Sequence, residues 1–438
     1  MKAFLKEKIK DKKVLILGFG KEGSATLSLL QSVGGYDSLH VADKNSVDIP
    51  GIPCICGDSY MDALEDYDLI FKSPGIAILD PNPNLLAKLT SQTACFLERY
   101  RDQIIGVTGT KGKSTTSSLI YHALKSAGKP AYLMGNIGLP AFEQAESIED
   151  DAVIVYEMSA HQLQYVSASP KTAVFLNLFP EHLDYYKTVE RYQAAKENIY
   201  RFQKPGDLLI INEALLPAET PAETIITGDS EKCDIHYTEK GVSVCGTELT
   251  PENVTTHLLG KHNLYNIGVA YAAVRKFGIS LDTFLSCLQD FDPLPHRLRD
   301  VGVFGGVRYV DDSISTVPQT TIGALSALSD VDTLILGGMD RGVDLSPLLD
   351  YLAEHPIPHI LVAYDTGVRL MKESEAYPAL LGKLTLVADL EDAVKLASKI
   401  TTKGKTCLLS PAAASYGYFK NFEDRGDRFL DWVKKYNA

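Results

Sequence analysis

The sequence has no excess of positive charge and no long apolar run, and each absence excludes a class of protein. Its 43 Lys and Arg residues are outnumbered by 56 Asp and Glu residues, which gives a formal net charge of −13. A nucleic-acid-binding protein needs a basic face to neutralise phosphates, so this charge balance argues against that class. No stretch reaches about 18 consecutive apolar residues, the length at which a membrane span is expected.

Cysteine pairs with the spacing of redox or zinc motifs are also missing. The 7 cysteines are scattered, and Cys54 and Cys56, the closest two, are separated by one residue rather than two. We therefore expect reduced thiols with mostly structural roles. The N-terminal stretch MKAFLKEKIKDKK is charged and lacks the apolar core of a signal peptide, so the cytoplasm is the expected location.

The sequence does contain a repeated alternation of short apolar runs with helical patterns. At 438 residues the chain is too long for one hydrophobic core, so several domains are expected. Strand–helix alternation predicts parallel βαβ units and an α/β fold class. We expect three domains, at residues 1–99, 100–292 and 293–438. The Pro-rich stretch FDPLPHRL, residues 291–298, is the expected hinge between the last two.

The stretch IIGVTGTKGKST, residues 104–115, has the order of a phosphate-binding loop: strand, glycine-rich loop, lysine, and Ser/Thr opening a helix. Backbone N–H groups of such a loop point at anionic oxygens. Lys113 would reach the terminal phosphates, and the hydroxyl of Ser114 or Thr115 would bind Mg²⁺. The strict G-x-x-x-x-G-K-[ST] pattern is not met, because Val107 stands at its first glycine. An ordinary glycine-rich turn is the alternative.

A second glycine motif lies near the N-terminus. Gly18, Gly20 and Gly23 follow a predicted strand and open a predicted helix, and Asp43 ends the next strand. This spacing satisfies the dinucleotide-binding fingerprint, which taken alone indicates a nicotinamide-dependent oxidoreductase. Tight packing of strand on helix without any ligand is one alternative. A uridine or adenosine diphosphate group is another, because the same geometry holds any pyrophosphate.

Residues suited to metal binding follow the phosphate loop. Glu157 stands at the C-terminal end of a predicted strand and His182 just after another, so the two could share a Mg²⁺. Lys196 lies on the flank of the apolar face of a predicted helix, VERYQAAKENIYRF. Spacing alone favours a lysine whose stem packs on the apolar face while its ammonium reaches water.

Taken together, the motifs resemble those of the Mur ligase family over about residues 12–433. They are, in order, TGTKGKST, GNIG, EMSAHQLQ, EHLDYY with RYQAAKENIY, GKHNLYN, LPHR, DDSIST and LLSPAAAS with FKNFEDRGD. The compact N-terminal domain and the C-terminal motif resemble the glutamate-adding members in particular. The resemblance implies a Rossmann-like N-terminal domain, a central ATPase-like parallel sheet and a Rossmann-like C-terminal domain.

The resemblance also implies which residues contact each substrate. In the N-terminal domain the UDP end of the substrate would lie against Gly18, Gly20, Gly23, Asp43, Ser73 and Gly75. ATP would be bound by Gly109, Thr110, Lys111, Gly112, Lys113, Ser114, Thr115, Asn266, Arg297 and Asp312. Asn136 and His182 would contact the UDP-sugar peptide, and the C-terminal domain would bind the amino acid through Thr316, Arg341, Ser415 and Phe422.

The implied chemistry is an ATP-dependent ligation in peptidoglycan precursor synthesis. ATP converts the carboxylate of UDP-N-acetylmuramoyl-L-alanine into an acyl phosphate, which the amine of D-glutamate attacks. Lys113 and two Mg²⁺ ions offset the repulsion between the two anions. One ion would be held by Ser114 and Glu157, the other by His182 and a carbamylated Lys196, so the resemblance reverses the interpretation of this lysine. A monomer acting on small molecules, without nucleic acid or membrane span, is expected.

Two departures from the family pattern affect the amino-acid site. Ile314 stands where many glutamate ligases have a lysine, and Arg341 replaces a lysine that family members often carry. They leave L-glutamate open as an alternative amino acid. Folylpolyglutamate synthase, a nicotinamide oxidoreductase and a non-catalytic nucleotide-binding subunit remain as further hypotheses, each less able to account for the whole set of motifs.

Overall fold

The computed structural model describes residues 1–437, and its framework is three parallel-rich sheets. The chain forms two compact units: residues 1–254 with 265–287, and residues 255–264 with 288 to the C-terminal end. The first unit contains two of the sheets and the second contains the third. The predicted α/β class is confirmed, while the boundaries near 100 and 293 stay predictions. No helix within residues 1–437 is long and apolar enough to cross a bilayer.

The N-terminal sheet is fully parallel, with strand order β3-β2-β1-β4-β5. Its strands are β1 Lys13–Leu17, β2 Ser38–Asp43, β3 Cys54–Cys56, β4 Leu69–Lys72 and β5 Leu89–Thr90, with helices α1 Lys2–Ile9, α2 Lys21–Val33, α3 Pro83–Lys88 and α4 Gln92–Tyr100. The strand order reverses between β1 and β4. Ligands of open α/β sheets bind beyond the carboxyl ends of the strands at such a reversal, and the loops beginning at Gly18 and Ser73 lie there.

The central sheet has nine strands in the order β14-β13-β12-β11-β10-β9-β6-β8-β7. Its strands are β6 Ile104–Thr108, β7 Ala131–Gly135, β8 Val153–Glu157, β9 Thr172–Phe175, β10 Leu208–Asn212, β11 Glu223–Gly228, β12 Ile235–Tyr237, β13 Val242–Val244 and β14 Thr247–Leu249. Every residue of β6 and β8 is buried, as expected of parallel strands covered on both faces. The strands β12, β13 and β14 form an antiparallel edge of this sheet.

The helices that follow these strands place the phosphate loop and the residues around it. They are α5 Lys113–Ser126, α6 Ala141–Gln144, α7 Ala160–Leu163, α8 Leu183–Tyr186, α9 Val189–Glu197, α10 Lys261–Val274 and α11 Leu281–Cys287. Helix α5 follows β6, which pairs with β8 on one side and β9 on the other. The carboxyl ends of three neighbouring strands therefore meet at the start of α5.

The C-terminal sheet has strand order β15-β16-β20-β17-β18-β19, parallel except for β15. Its strands are β15 Arg299–Phe304, β16 Val307–Asp311, β17 Val331–Gly337, β18 His359–Ala363, β19 Leu384–Leu386 and β20 Thr406–Leu409; its helices are α12 Pro318–Ala327, α13 Ser346–Glu354, α14 Tyr364–Ser374, α15 Leu390–Ile400 and α16 Phe422–Tyr436. The loops after β16, β17 and β20 leave three adjacent strands at the same edge.

Candidate active site

The phosphate loop connects β6 to α5 through two glycines with positive φ. Gly109 has φ +154° and Gly112, at the start of the helix, has φ +84°. A Cβ on Gly112 would lie 2.7 Å from the side-chain oxygen of Asn266, so only glycine fits there. Asn266, predicted to lie near the nucleotide, thus packs directly against the loop.

Asn177 fixes the shape of the loop, and the sequence analysis missed it. Its Oδ1 accepts hydrogen bonds from the backbone N–H groups of Thr110 at 3.1 Å and Lys111 at 2.8 Å, while its Nδ2 donates to the Lys111 carbonyl at 3.1 Å. The side-chain amide thus satisfies backbone N–H and C=O groups that have no strand partner in the loop. The one feature of the sequence that could have indicated Asn177 is its place two residues after the strand-forming run TAVF.

Lys196 is buried, with 1% of its surface exposed, so the prediction of an ammonium reaching water was wrong. Its Nζ donates to the Gly109 carbonyl at 2.8 Å and lies 3.5 Å from Thr108 Oγ1, both neutral acceptors. Burial, and then the charge of Lys113, hold the pKa of Lys196 well below its usual value. A lowered pKa raises the share of the neutral amine, which is the nucleophilic form.

Glu157 is fully buried at the end of β8. Its Oε1 accepts a hydrogen bond from Asn136 Nδ2 at 2.8 Å, whereas its Oε2 has no hydrogen-bond partner among the described residues. A buried carboxylate oxygen with unused lone pairs fits a divalent cation. Within residues 1–437 no three His, Cys, Asp or Glu side chains form a metal cluster, so a metal here would need other ligand types, such as the Ser114 hydroxyl.

The prediction that His182 directly follows a strand was wrong, because β9 ends at Phe175. His182 precedes α8 and has a left-handed backbone, φ +55°. Its ring packs edge-on against that of His161, with centroids 5.0 Å apart. Partial burial lowers the pKa of His182, and burial lowers that of His161 to about 4. Both rings are therefore neutral near pH 7, which leaves an imidazole lone pair available as a ligand.

A cavity of about 320 Å³ lies beside His182 and Lys196, while Glu157 is outside its lining. It is lined by Pro74, Gly75, Lys113, Asn136, Ser159, Ala160, His161, Glu181, His182, Tyr192 and Lys196. The predicted phosphate-binding lysine, three other predicted site residues and the Gly75 loop of the N-terminal sheet thus surround one space. Glu181 and His161 were not predicted. Glu181 forms an ion pair with Lys111 of the phosphate loop at 2.6 Å.

The glycine loop of the N-terminal sheet is held by Ser73 and Asp43. Ser73 Oγ donates to the Gly18 carbonyl at 2.7 Å, and Asp43 Oδ2 accepts from the Phe19 N–H at 2.7 Å. A Cβ on Gly23 would lie 2.2 Å from the Gly18 carbonyl oxygen, so glycine allows α2 to approach the loop. Asp43 also accepts from the Asn45 N–H at 2.8 Å, so both of its oxygens bind the local backbone.

The residues predicted to bind the amino acid lie on adjoining loops of the second unit. Arg341 is exposed, and its guanidinium lies 3.4 Å from the Thr316 carbonyl oxygen. An isolated bridge between Met339 and Ala414 joins the loop of Arg341 to that of the buried Ser415. Phe422 opens helix α16. The structure brings the four residues' loops to one edge of the sheet.

Asp312, predicted to lie near the ribose of ATP, is buried in the second unit, to which Arg297 also belongs. Its Oδ2 accepts from the hydroxyls of Ser315 at 2.5 Å and Ser410 at 2.7 Å, and its Oδ1 from the Leu298 N–H at 3.1 Å. Asp312 thus ties three segments of this unit together. Burial nevertheless raises the pKa of its carboxyl to about 7.

Asp312→Asn should stabilise the protein at alkaline pH. The folded pKa of about 7 lies above the unfolded value of about 3.9, so stability from this group is present below about pH 4 and is lost as the pH rises through 7. Asparagine stays neutral, and both serine hydroxyls can rotate to accept from it. Urea unfolding at pH 5 and pH 8 should show a larger advantage of the variant at pH 8, because the loss is only partial at pH 5; an equal difference at both values contradicts the assignment.

Comparison with known proteins identifies the family. Residues 107–274 match the sequence profile of the Mur ligase middle domain. The UDP-N-acetylmuramoylalanine–D-glutamate ligase of Clostridium botulinum (strain Langeland) is 31% identical over 456 residues, covering 98% of each chain. The chain belongs to the Mur ligase family. A ligase with the same name from Symbiobacterium thermophilum is 34% identical over 400 residues, 88% of each chain.

The fold of this Mur ligase is also found among solved structures. The MurF ligase of Thermotoga maritima, solved in complex with ADP, aligns with a TM-score of 0.58 at 20% identity, covering 98% of this chain and 96% of that one. At this identity the likeness concerns the fold. It agrees with the sheets described above, and the resemblance inferred from the motifs is confirmed.

Proposed function

We propose that this Mur ligase joins D-glutamate to UDP-N-acetylmuramoyl-L-alanine, with cleavage of ATP to ADP and phosphate, as a monomer in cytoplasmic peptidoglycan precursor synthesis. Full-length relatives named for this reaction support the choice of substrates. The observation that carries the proposal is the cavity of about 320 Å³, because the phosphate-loop lysine and the Gly75 loop of the N-terminal sheet line the same space. The terminal phosphate of one substrate and the reactive end of the other can meet there.

The first step is attack of the alanyl carboxylate on the γ-phosphorus of ATP, which releases ADP. The loop N–H groups and the start of α5 bind the phosphates. Lys113 lines the cavity and neutralises charge where the two anions approach. Asn177 contributes indirectly, because it holds the N–H groups of the loop in one arrangement.

Ser114, Glu157, His182 and a carbamylated Lys196 would hold two Mg²⁺ ions. Bound there, Mg²⁺ would neutralise negative charge on the phosphate oxygens. The unpartnered Oε2 of Glu157 and the neutral ring of His182 suit this role. Carbamylation would turn the buried amine of Lys196 into an anion, which explains a lysine that bonds only neutral oxygens.

In the second step the amine of glutamate attacks the acyl carbon, and phosphate leaves. The two glutamate carboxylates need fixed donors. Arg341 can pair with one of them through two parallel N–H bonds. The Thr316 and Ser415 hydroxyls and the backbone around Phe422 are the proposed donors for the remaining oxygens.

The test is ADP release by the purified protein with UDP-N-acetylmuramoyl-L-alanine and each enantiomer of glutamate. We expect turnover that requires both substrates, with a higher kcat/KM for D-glutamate. A higher kcat/KM for L-glutamate would show that the proposed enantiomer is wrong. Ile314, which stands where many glutamate ligases have a lysine, is the reason for measuring both. ADP release stimulated only by a folate, or binding of NADH without ADP release, would contradict the proposed ligase activity.

Arg341→Ala should raise the KM for glutamate more than about tenfold, equivalent to about 1.4 kcal/mol. The reason is that loss of a charged hydrogen bond to a buried carboxylate costs about 2–5 kcal/mol, and Ile314 offers no charge in compensation. The KM for ATP should change little. Lys372→Ala is the control, because Lys372 is exposed on α14 of the same unit. Equal KM values for glutamate in wild type and Arg341→Ala would remove Arg341 from the site.

A further inference from the structure

Arg425 is a buried arginine at the start of helix α16, only 1% exposed. Its Nε donates to Ser313 Oγ at 3.0 Å, its Nη2 to the Ser313 carbonyl at 2.7 Å and its Nη1 to the Ala413 carbonyl at 3.0 Å. All three acceptors are neutral. Among the residues that the structure describes, Arg425 takes part in no ion pair.

Asp311 and Asp312, whose charges act on Arg425, are hydrogen-bonded to other groups. Asp311 Oδ2 lies 2.7 Å from His296 Nδ1, and Asp311 Oδ1 accepts from the Ser313 N–H at 2.9 Å. Asp312 is held by two serine hydroxyls, as described above. A buried charge without a directly bonded counter-ion destabilises a fold. Arg425 instead hydrogen-bonds neutral groups of the loops around it.

The guanidinium contacts the segments that carry the four proposed glutamate contacts. Ser313 begins the segment leading to Thr316, and Ala413 lies two residues before Ser415. A Cβ on Gly338 would lie 3.1 Å from Arg425 Nη1, so the loop leading to Arg341 packs against the guanidinium.

The start of α16 is connected to the same group. Ser313 Oγ, which accepts from Arg425 Nε, itself donates to the Phe422 carbonyl at 2.9 Å. One planar cation therefore links three loops and one helix start. Lysine could not reproduce this, because it lacks the rigid fork of N–H donors. The side chain at Ile314, next to Ser313, contributes no charge.

We propose that Arg425 is the positioning residue of the amino-acid site: it fixes the loops of Thr316, Arg341, Ser415 and Phe422 relative to one another and supplies a positive potential beneath the glutamate carboxylates. This inference rests on the proposed ligation of glutamate. Arg425 itself does not contact the substrate and acts through the loops that it binds.

The test compares Arg425→Lys and Arg425→Met with wild type. Separate KM values for glutamate, ATP and the UDP-substrate should show a rise of more than about tenfold for glutamate alone in both variants. Lysine keeps the positive charge, so the KM for glutamate should rise less in Arg425→Lys than in Arg425→Met. Arg428→Met is the matched control: Arg428 lies on the same helix, is half exposed and pairs with Asp424 at 3.0 Å.

The outcomes separate this inference from the proposed function. If wild type ligates glutamate and Arg425→Lys has an unchanged KM for glutamate, the inference is wrong and the proposed function stands. Parallel losses for all three substrates, with a lowered Tm, would make Arg425 a structural residue only. If wild type fails to use glutamate, the proposed function fails. Should Arg425→Met not fold, the comparison of Arg425→Lys with wild type carries the test.

Discussion

Lys113→Ala is expected to abolish ATP-dependent turnover while binding of the UDP-substrate stays largely intact. Lys113 follows Gly112 at the start of α5 and lines the cavity. A positioned donor to developing charge typically contributes about 10²–10³ in kcat, and alanine leaves the approach of two anions without this cation. The UDP end of the other substrate is expected at Gly18 and Ser73, on a different sheet, so its affinity should change little.

Two measurements separate these effects: ADP release with both substrates, and calorimetric binding of the UDP-substrate without ATP. Lys125→Ala is the control, because Lys125 is exposed in the last turn of the same helix. It should match wild type in both measurements. If Lys113→Ala lost UDP-substrate binding to the same extent as turnover, the assignment of the two substrates to separate sheets would be wrong.

Local sequence patterns were sufficient for many elements around the site. The strand predicted to end at Asp43 is β2, and the helix predicted to open at the second glycine motif is α2. The helix is bounded by two glycines: Gly20 precedes it, and Gly34, with φ +64°, ends it. Helix α1 was not predicted, because its charged sequence was interpreted only as lacking a signal peptide.

Features that depend on distant contacts could not be read from the chain. Asn177 shapes the phosphate loop through three bonds to residues 66 or 67 positions away. Arg425 bonds Ser313, 112 positions away. Neither residue stands out in its own segment, because its role depends on which loops the sheet order brings together. The motif FKNFEDRGD contains Arg425 without saying what it binds, and Asn177 lies outside the motifs quoted above.

Lys196 illustrates the limit of helical periodicity. In a helix as short as α9, spacing shows which residues share a face but not which flank another element covers. Here the end of β6 and the phosphate loop cover the flank of Lys196, and its Nζ faces the Gly109 carbonyl instead of water. Because Lys196 is buried beside the phosphate loop, its proposed modification can be tested by removing the side chain.

Lys196→Ala should be inactive in ADP release and partly rescued by formate or acetate. If Lys196 carries a carbamate, the alanine variant loses a buried anion beside the proposed metal ligands. A small carboxylate can enter the vacated space and restore that charge. Glu190→Ala, an exposed change on the same helix, should remain active and should not respond to either acid. Rescue by chloride would point to a general salt effect instead.

The modification itself has a readout that does not depend on activity. Protein equilibrated with ¹³C-bicarbonate should show a carbamate carbon resonance in wild type that is missing from Lys196→Ala. Burial holds the pKa of the Lys196 amine well below its usual value, which raises the share of the neutral form, the form that adds CO₂. Stripping bicarbonate should lower wild-type activity reversibly. Full activity of Lys196→Ala, or the same resonance in both proteins, would return Lys196 to a structural role beneath the phosphate loop.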